Sequence, residues 1–506
     1  MFEGQPKGLF ALALANTGER FGYYTMLAVF ALFLRANYGL SPAMAGTIYS
    51  SFLMLVYFLP LIGGIMADKF GFGKMVTTGI IIMFAGYLLL SVPLGGDTVA
   101  LVVMLAALVL IGFGTGLFKG NLQVMVGDLY NDPQYKDKRD AGFSIFYMAI
   151  NIGALFAPTA AIRIKEYAET ALGYSSNDAY HFSFAVACAS LILSIAIYYV
   201  FRSTFRHTEG GTKKDAAKAD AASSEPELSK EETSQRIVAL CLVFAVVIFF
   251  WMAFHQNGLS LTYFADEFTA QSAEGVQAMC FNVWNLVAVV FIVYAGFSLF
   301  QSKTSKGKAI SAAIIVIALA FLFLQYDPNG SVSVSAPIFQ QFNPFYVVAL
   351  TPVSLAIFGW LAAQHKEPKA PRKIAYGMIV AAIAFCLMLY ASLTLPSPNE
   401  QAALGDAAPR VSSYWLIMTY LVLTFGELLL SPMGISFVSK VAPPKYKGAC
   451  MGGWFVSTAI GNQLVMVGGI LWGDLPLWSV WAVFAGLCVL AALFMFFIMK
   501  RLEKVC

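Results

Sequence analysis

Thr98-Val-Ala-Leu-Val-Val-Met-Leu-Ala-Ala-Leu-Val-Leu-Ile-Gly-Phe-Gly-Thr-Gly-Leu-Phe-Lys119-Gly-Asn121 carries no charge before Lys119. As a helix rising ~1.5 Å per residue, such a run is long enough to cross the ~30 Å hydrocarbon core of a bilayer. Runs of this kind recur along the whole chain of 506 residues, 59% of them hydrophobic and 12% charged. A soluble domain needs about 25% charged residues to cover its surface. The mean hydropathy of +0.72 therefore places the chain in lipid, as an all-α integral membrane protein.

Apolar runs between Gly, Pro and charge punctuation predict about fourteen spans. They lie near 9–35, 43–67, 74–94, 98–121, 141–163, 180–202, 235–263, 276–300, 308–326, 343–364, 372–395, 412–438, 447–472 and 477–499. With both termini in the cytoplasm, 26 of the 32 Lys and Arg fall on the cytoplasmic side. Arg35, Arg163, Lys165 and Arg410 fall outside, and Arg20 and Lys119 fall within spans. A wrongly placed span would invert every later loop and erase that positive-inside bias. The expected location is a cell (inner) membrane crossed many times.

The polar stretch from Arg206 to about Gln235 has no apolar period and reads as a flexible cytoplasmic linker over 204–234. It separates an N-terminal half, 1–203, from a C-terminal part, 235–506, that holds eight spans. Setting aside the pair at about 276–327 leaves six plus six, the plan of a major-facilitator carrier with a midplane site between related halves. Gly64-Ile-Met-Ala-Asp68-Lys69-Phe-Gly71 resembles the loop motif of that superfamily. There Asp68 can cap a helix start and pair with a base, a gating and packing role.

Several functions are excluded. The net charge of +4 is spread along the chain, so there is no nucleic-acid footprint. Seven cysteines sit singly, without metal or disulfide spacing, and no cofactor motif is present. The first apolar run contains Glu19 and Arg20 and continues as a helix without a cleavage site. An enzyme would need a nucleophile–base pair or a metal cluster, and His255 is the one mid-span histidine of the expected cavity.

The informative residues are charges that a bilayer penalises by ~2.5–3.5 kcal/mol each. Glu19 and Arg20 fall in the first span, Lys119 in the fourth, and Glu427 in the tenth when the surplus pair is set aside. The seventh span adds His255-Gln256-Asn257. Helices one, four, seven and ten line the cavity in a carrier of this plan. The first half carries a surplus of one positive charge and the second half one negative. A ligand with a carboxylate at one end and an ammonium at the other satisfies both, which points to small zwitterions. On helix one, Asn16, Arg20, Tyr23 and Leu27 share a face, and Tyr24 and Tyr57 also lie deep in their spans. Asn151 and Asn343 add neutral donors and acceptors.

These residues sit in longer motifs. Phe143-Ser-Ile-Phe-Tyr147-Met-Ala-Ile-Asn151-Ile-Gly153-Ala-Leu155, Thr424-Phe-Gly-Glu427-Leu-Leu-Leu-Ser431-Pro432-Met-Gly434 and Met451-Gly-Gly-Trp454-Phe resemble signatures of the proton-dependent oligopeptide transporters. Gly114-Thr-Gly-Leu-Phe-Lys119-Gly120-Asn121 is similar to that family's fourth-helix motif, with Gly120 where proline is usual. The resemblance implies that Asn151, Asn343 and Glu427 hold a peptide amino terminus and Lys119 the carboxylate. It implies that Tyr23, Tyr24, Tyr57, Trp251, Ser431 and Trp454 line side-chain pockets. It also implies small peptides and protons as partners, and a carrier that works as a monomer.

Three positions depart from the family pattern. Asn16 stands where the first glutamate of E-x-x-E-R is usual, Leu27 where a basic residue is, and His255 where an acidic one is. The last two form an ion pair in many relatives, so both partners are replaced together. Glu19 remains as the carboxylate beside Arg20 and Lys119. Proton coupling is therefore expected to involve Glu19, Arg20, Lys119 and His255, whose imidazole titrates near neutral pH in water. An alternative cargo is another zwitterion, or a larger or modified peptide, with altered or absent proton coupling.

Overall fold

The computed structural model describes residues 4–210, 228–443 and 446–505, so the middle of the linker, 211–227, lies outside the described residues. Fourteen long helices carry the fold, numbered here in chain order. The first half holds α1 (Lys7–Tyr38), α2 (Pro42–Phe70), α3 (Phe72–Ser91), α4 (Thr98–Asp128), α5 (Arg139–Thr170) and α6 (Ser176–Val200). Then come α7 (Lys230–Phe254), α8 (Val283–Gln301), α9 (Ser305–Gln325), α10 (Phe342–Ala363) and α11 (Ala370–Ala391). The last are α12 (Tyr414–Val441), α13 (Lys447–Leu464) and α14 (Leu477–Glu503). Helix starts follow short polar caps: Ser41, Asp97 and Ser175 each accept from the backbone N–H three residues on. Ser229 closes a capping box with Glu232 ahead of α7.

The helices match the fourteen expected spans in order. Among the described residues, 12 are long and apolar enough to cross a membrane by length and composition alone. The other two, α1 and α13, are polar for membrane helices: α1 carries Asn16 to Arg20, and α13 carries Ser457, Thr458, Asn462 and Gln463. Where the expected bounds differ, polar residues continue a helix or break it. Helix α5 runs on to Thr170, past the expected end near 163, on the pairs Arg163–Glu166 and Lys165–Glu169. The seventh span is not one helix, because after Phe254 it tightens into a 3-10 turn, His255–Gly258, and resumes as a short helix, Ser260–Glu267.

The surplus pair lies after the seventh span, as expected, but α8 starts at Val283 rather than near 276. A separate short helix, Gly275–Met279, precedes it, and Asn282 caps α8 by accepting from the Trp284 N–H. Two strands close the insertion at its base: β1 (Ser272–Glu274) pairs antiparallel with β2 (Ser331–Ser333). Helix α9 buries only Ser311 and Ala318, and otherwise presents Ile310, Val316, Ile317, Phe323 and Leu324 outward, as a lipid-facing helix does.

Within the halves, close crossings rest on glycine. A Cβ at Gly63 on α2 would lie 2.1 Å from the Gly116 carbonyl oxygen on α4. Asn121 on α4 donates its amide to the Gly63 carbonyl at 3.1 Å, locking the same crossing. Replacing Gly63 with valine is expected to force α2 and α4 apart and lower the thermal unfolding midpoint of the detergent-purified protein. Overpacking of this kind costs about 1–3 kcal/mol. A midpoint unchanged from wild type would refute the close crossing.

The even number of long helices among the described residues returns the end of α14 to the end of the bundle where α1 starts. At the opposite end the halves are bonded to each other. Arg35 pairs with Glu267 at 2.5 Å and lies over the Tyr263 ring at 4.7 Å. The Tyr263 hydroxyl donates to the Pro42 carbonyl at 3.3 Å, and Trp472 donates its indole N–H to Glu267 at 3.0 Å. Gln340 donates to the Ala28 carbonyl at 3.1 Å, and a Cβ at Gly46 would stand 3.2 Å from the Gly469 Cα. This end is sealed by packing as well as by charge.

Candidate substrate site between the halves

Glu19 and Arg20 are consecutive residues on α1, and they bond to each other. Arg20 Nε and Nη2 donate to the two carboxylate oxygens of Glu19, each at 2.5 Å. Both side chains are buried, and the guanidinium also covers the Tyr23 ring at 4.4 Å. Glu19 thus gives both carboxylate oxygens to Arg20, while Lys119 stands within electrostatic range of Glu19 without bonding to it. A bidentate guanidinium–carboxylate fork outcompetes a point-charge ammonium for the same oxygens.

Lys119, half-buried on α4, has no ion pair or hydrogen bond among the described residues. Its Nζ sits 4.1 Å from the centroid of the Tyr57 ring. A cation–π contact softens the desolvation of an ammonium without neutralising it. Within its span Lys119 therefore stands as a cation without an ion pair among the described residues.

The second half answers with Glu427 on α12, of which 9% is exposed. Asn343 on α10 donates its amide to Glu427 Oε2 at 2.9 Å and to Thr424 Oγ1 at 3.1 Å. The two residues expected to share the amine end therefore meet, although 84 positions separate them. Asn151 on α5 donates to the Tyr147 carbonyl at 3.0 Å, one turn back on its own helix, so it is not bonded to Glu427. Tyr24, Tyr57 and Tyr147, all from the first half, stand within electrostatic range of Glu427. The charged centre of one half thus faces phenols of the other.

His255 lies at the break of the seventh span, where it meets the first half. Its ring is 5.9 Å from the Tyr57 ring and stacks on Trp251 at 5.2 Å. His255 Nδ1–H donates to Asn462 Oδ1 on α13 at 2.5 Å. Asn462 is fully buried and its own amide nitrogen has no partner, and neither has the indole nitrogen of buried Trp251. Sequence reading assigns no role to Asn462. A signal was available: Trp454, Thr458 and Asn462 recur every four residues on one face of α13.

Other expected residues are placed differently. Trp454 is 3% exposed and packs its ring onto Gly434 of α12, where a Cβ would stand 1.9 Å from the indole. It acts as a helix–helix filler more than as a pocket wall. Ser431 is half-buried on α12, one residue before Pro432. Asp68 is exposed and makes no hydrogen bond or ion pair among the described residues, so neither the expected cap nor the expected pairing forms. Gly71, at φ +96°, turns the chain into α3 directly and leaves Asp68 on the outside of that corner. Among the described residues, no group of three or more His, Cys, Asp or Glu could hold a metal ion.

Residues 73–222 and 314–468 match the model of the POT family. The chain is 29% identical over 487 residues to the uncharacterized transporter YclF of Bacillus subtilis (strain 168), covering 92% of this chain and 87% of that one. It is 27% identical over 495 residues to a di-/tripeptide transporter of Lactococcus lactis subsp. lactis (strain IL1403), covering 92% and 89%. A crystal structure of a mutant of the peptide transporter POT in complex with alafosfalin matches all of this chain and 96% of that one. The TM-score is 0.72 and the identity 25%.

Proposed function

The chain belongs to the POT family of transporters, and on that premise we propose that it imports di- and tripeptides across the cell (inner) membrane by proton symport. One observation carries the reading: Lys119 has no counter-ion in the first half, while Glu427 waits with Asn343 in the second. A peptide's carboxylate satisfies Lys119 and its ammonium satisfies Glu427, so the cargo itself ties the halves together. Asn151, Tyr23, Tyr24, Tyr57, Trp251 and Ser431 frame the backbone and side chains between those ends, and Trp454 backs them from α13. Both termini face the cytoplasm, which makes the end sealed by Arg35 and Glu267 the outer one. Alternating access then consists of breaking that seal and re-forming it around the peptide. Each chain holds both halves of the site, so a monomer suffices.

Proton coupling is tested in proteoliposomes with an imposed gradient. A gradient of one pH unit, acidic on the side of entry, stores 1.36 kcal/mol per proton and supports about tenfold accumulation of Ala-Ala per proton carried. A protonophore should collapse the accumulation to the outside concentration. Equilibration without accumulation would leave a facilitator, not a symporter. The departures at Asn16, Leu27 and His255 favour a second reading, in which the cargo is another zwitterion or a larger or modified peptide. The same vesicles, offered amino acids and tetrapeptides, separate the two by which solute competes with Ala-Ala.

A further inference from the structure

We infer that the inserted hairpin, α8 with α9, is a lipid-anchoring arm. Lys303, Lys306 and Lys308 at its tip hold anionic phospholipid headgroups on the membrane face opposite the Arg35–Glu267 seal.

The arm is firmly built yet adds little to the protein core. At its base β1 pairs with β2, and the Val334 N–H donates to the Gln271 carbonyl at 2.8 Å. Midway, Ser311 on α9 donates to Ser298 on α8 at 2.9 Å, and Tyr294 on α8 donates to the Val348 carbonyl of α10 at 3.1 Å. Yet α9 buries only Ser311 and Ala318. Helix α8 has 19 residues. At ~1.5 Å per residue it rises about 28 Å, close to the thickness of the hydrocarbon core. The base lies at the sealed end, so the tip emerges at the other interface.

The tip is a closed turn that presents charge. Thr304 Oγ1 accepts from the Gly307 N–H at 3.1 Å, and Ser302 Oγ donates to the Thr304 carbonyl at 3.3 Å. A Cβ at Gly307 would stand 2.2 Å from Ser302 Oγ, so the turn packs on itself. Lys303, Lys306 and Lys308 are exposed, and none has a hydrogen bond or ion pair among the described residues. They are the only charged residues from Gly275 to Tyr326. The acids nearest along the chain, Glu274 and Asp327, stand at the base of the arm, a helix length away. After α10, the next helix to reach the same face, Glu367 is already paired with Lys373.

The helix itself gains nothing from this charge. Lys306 and Lys308 fall at the start of α9, where the helix dipole disfavours cations, and no acid offsets them in that turn. What fits is an anion with an apolar body. Phe300, 88% exposed, ends α8 just before the lysines, Ile310 is exposed just after them, and Trp360 is exposed near the end of α10. Lysine heads above exposed aromatic and aliphatic side chains form the profile of a membrane interface. A phospholipid meets both parts at once, its phosphate on the ammonium groups and its chains along Phe300 and Ile310. An acidic protein would satisfy only the charges. Because Tyr294 ties α8 to α10, which carries Asn343, the anchored arm braces the second half against the leaflet.

The test counts lipids retained by the purified full-length carrier. The detergent is doped with equal amounts of phosphatidylglycerol and phosphatidylcholine of the same chains, and native mass spectrometry reads both. One lysine near an anionic surface is worth about fivefold in attraction, so wild type should prefer phosphatidylglycerol by at least about tenfold. Changing all three lysines to glutamine should remove most of that preference, and changing all three to arginine should keep it. The change of Lys7, Lys74 and Lys504 to glutamine alters net charge equally away from the arm and should also leave the preference intact. No headgroup preference in wild type, or the same preference after the tip lysines become glutamine, would overturn the proposal. Equal loss in the Lys7, Lys74 and Lys504 variant would overturn the assignment to the arm. Loss in the arginine variant would overturn charge as the cause. Excess inorganic phosphate should not displace the lipid; displacement would make the tip a general anion site and overturn the role of the apolar surface.

Discussion

Replacing Lys119 by methionine is expected to reduce uptake of free-acid dipeptides at least about 100-fold at sub-saturating concentration, while peptides amidated at the C terminus are carried no worse than before. Methionine keeps the length of the side chain and can still pack its sulfur against the Tyr57 ring. What disappears is the charge of a mid-span cation that no carboxylate bonds among the described residues. Truncating one member of a desolvated charge pair costs about 2–5 kcal/mol, and 100-fold corresponds to about 2.7 kcal/mol. The amide is the informative control because it lacks the anion that Lys119 would bind. Competition against labelled Ala-Ala in proteoliposomes measures both. An equal loss for acids and amides would mean that Lys119 supports the fold around Tyr57 rather than the cargo.

The expected order of helices and the two uncompensated charges could be read from the sequence because both follow from one-dimensional rules. A bilayer demands long uncharged runs, and it makes any exception conspicuous. Thus the run at 98–121 and Lys119 at its end mark a helix and a site at once. Glu427 is conspicuous for the same reason, and its partner Asn343 was anticipated through the resemblance of both motifs to one family. Pairing was less legible. Glu19 and Arg20 lie about 100° apart around a helix, which suggests separate faces. Arginine is long enough to reach back over that angle, and the bidentate fork rewards it. Asn462 was missed because its partner lies 207 residues away, and a lone asparagine in a helix rich in glycine looks like packing. The helix break at His255 was hidden as well. The local sequence His255-Gln256-Asn257-Gly258 reads as a polar patch, while its 3-10 geometry is fixed by Gln256, which donates to the Met252 and Val465 carbonyls and accepts from Ser260.

The geometry of Glu19 leads to the second large effect, which concerns stability rather than transport. Changing Arg20 to glutamine is expected to destabilise the protein by about 3–5 kcal/mol, the cost of leaving one member of a buried pair without its partner. Glu19 is 1% exposed and both of its oxygens accept from Arg20, so the substitution removes both of their donors. The loss of the cation–π contact with Tyr23 adds to the deficit. The double change of Glu19 and Arg20 to glutamine should recover most of the loss, because two neutral amides can bond each other and no charge is stranded. Thermal unfolding in detergent reads both variants against wild type. A double variant as unstable as the single one would show that Arg20 serves more than Glu19. Recovery in the double variant, together with retained proton uptake on Ala-Ala binding, would make this pair a structural clamp within α1. The carboxylate nearest the expected family coupling motif would then be the one least free to exchange a proton.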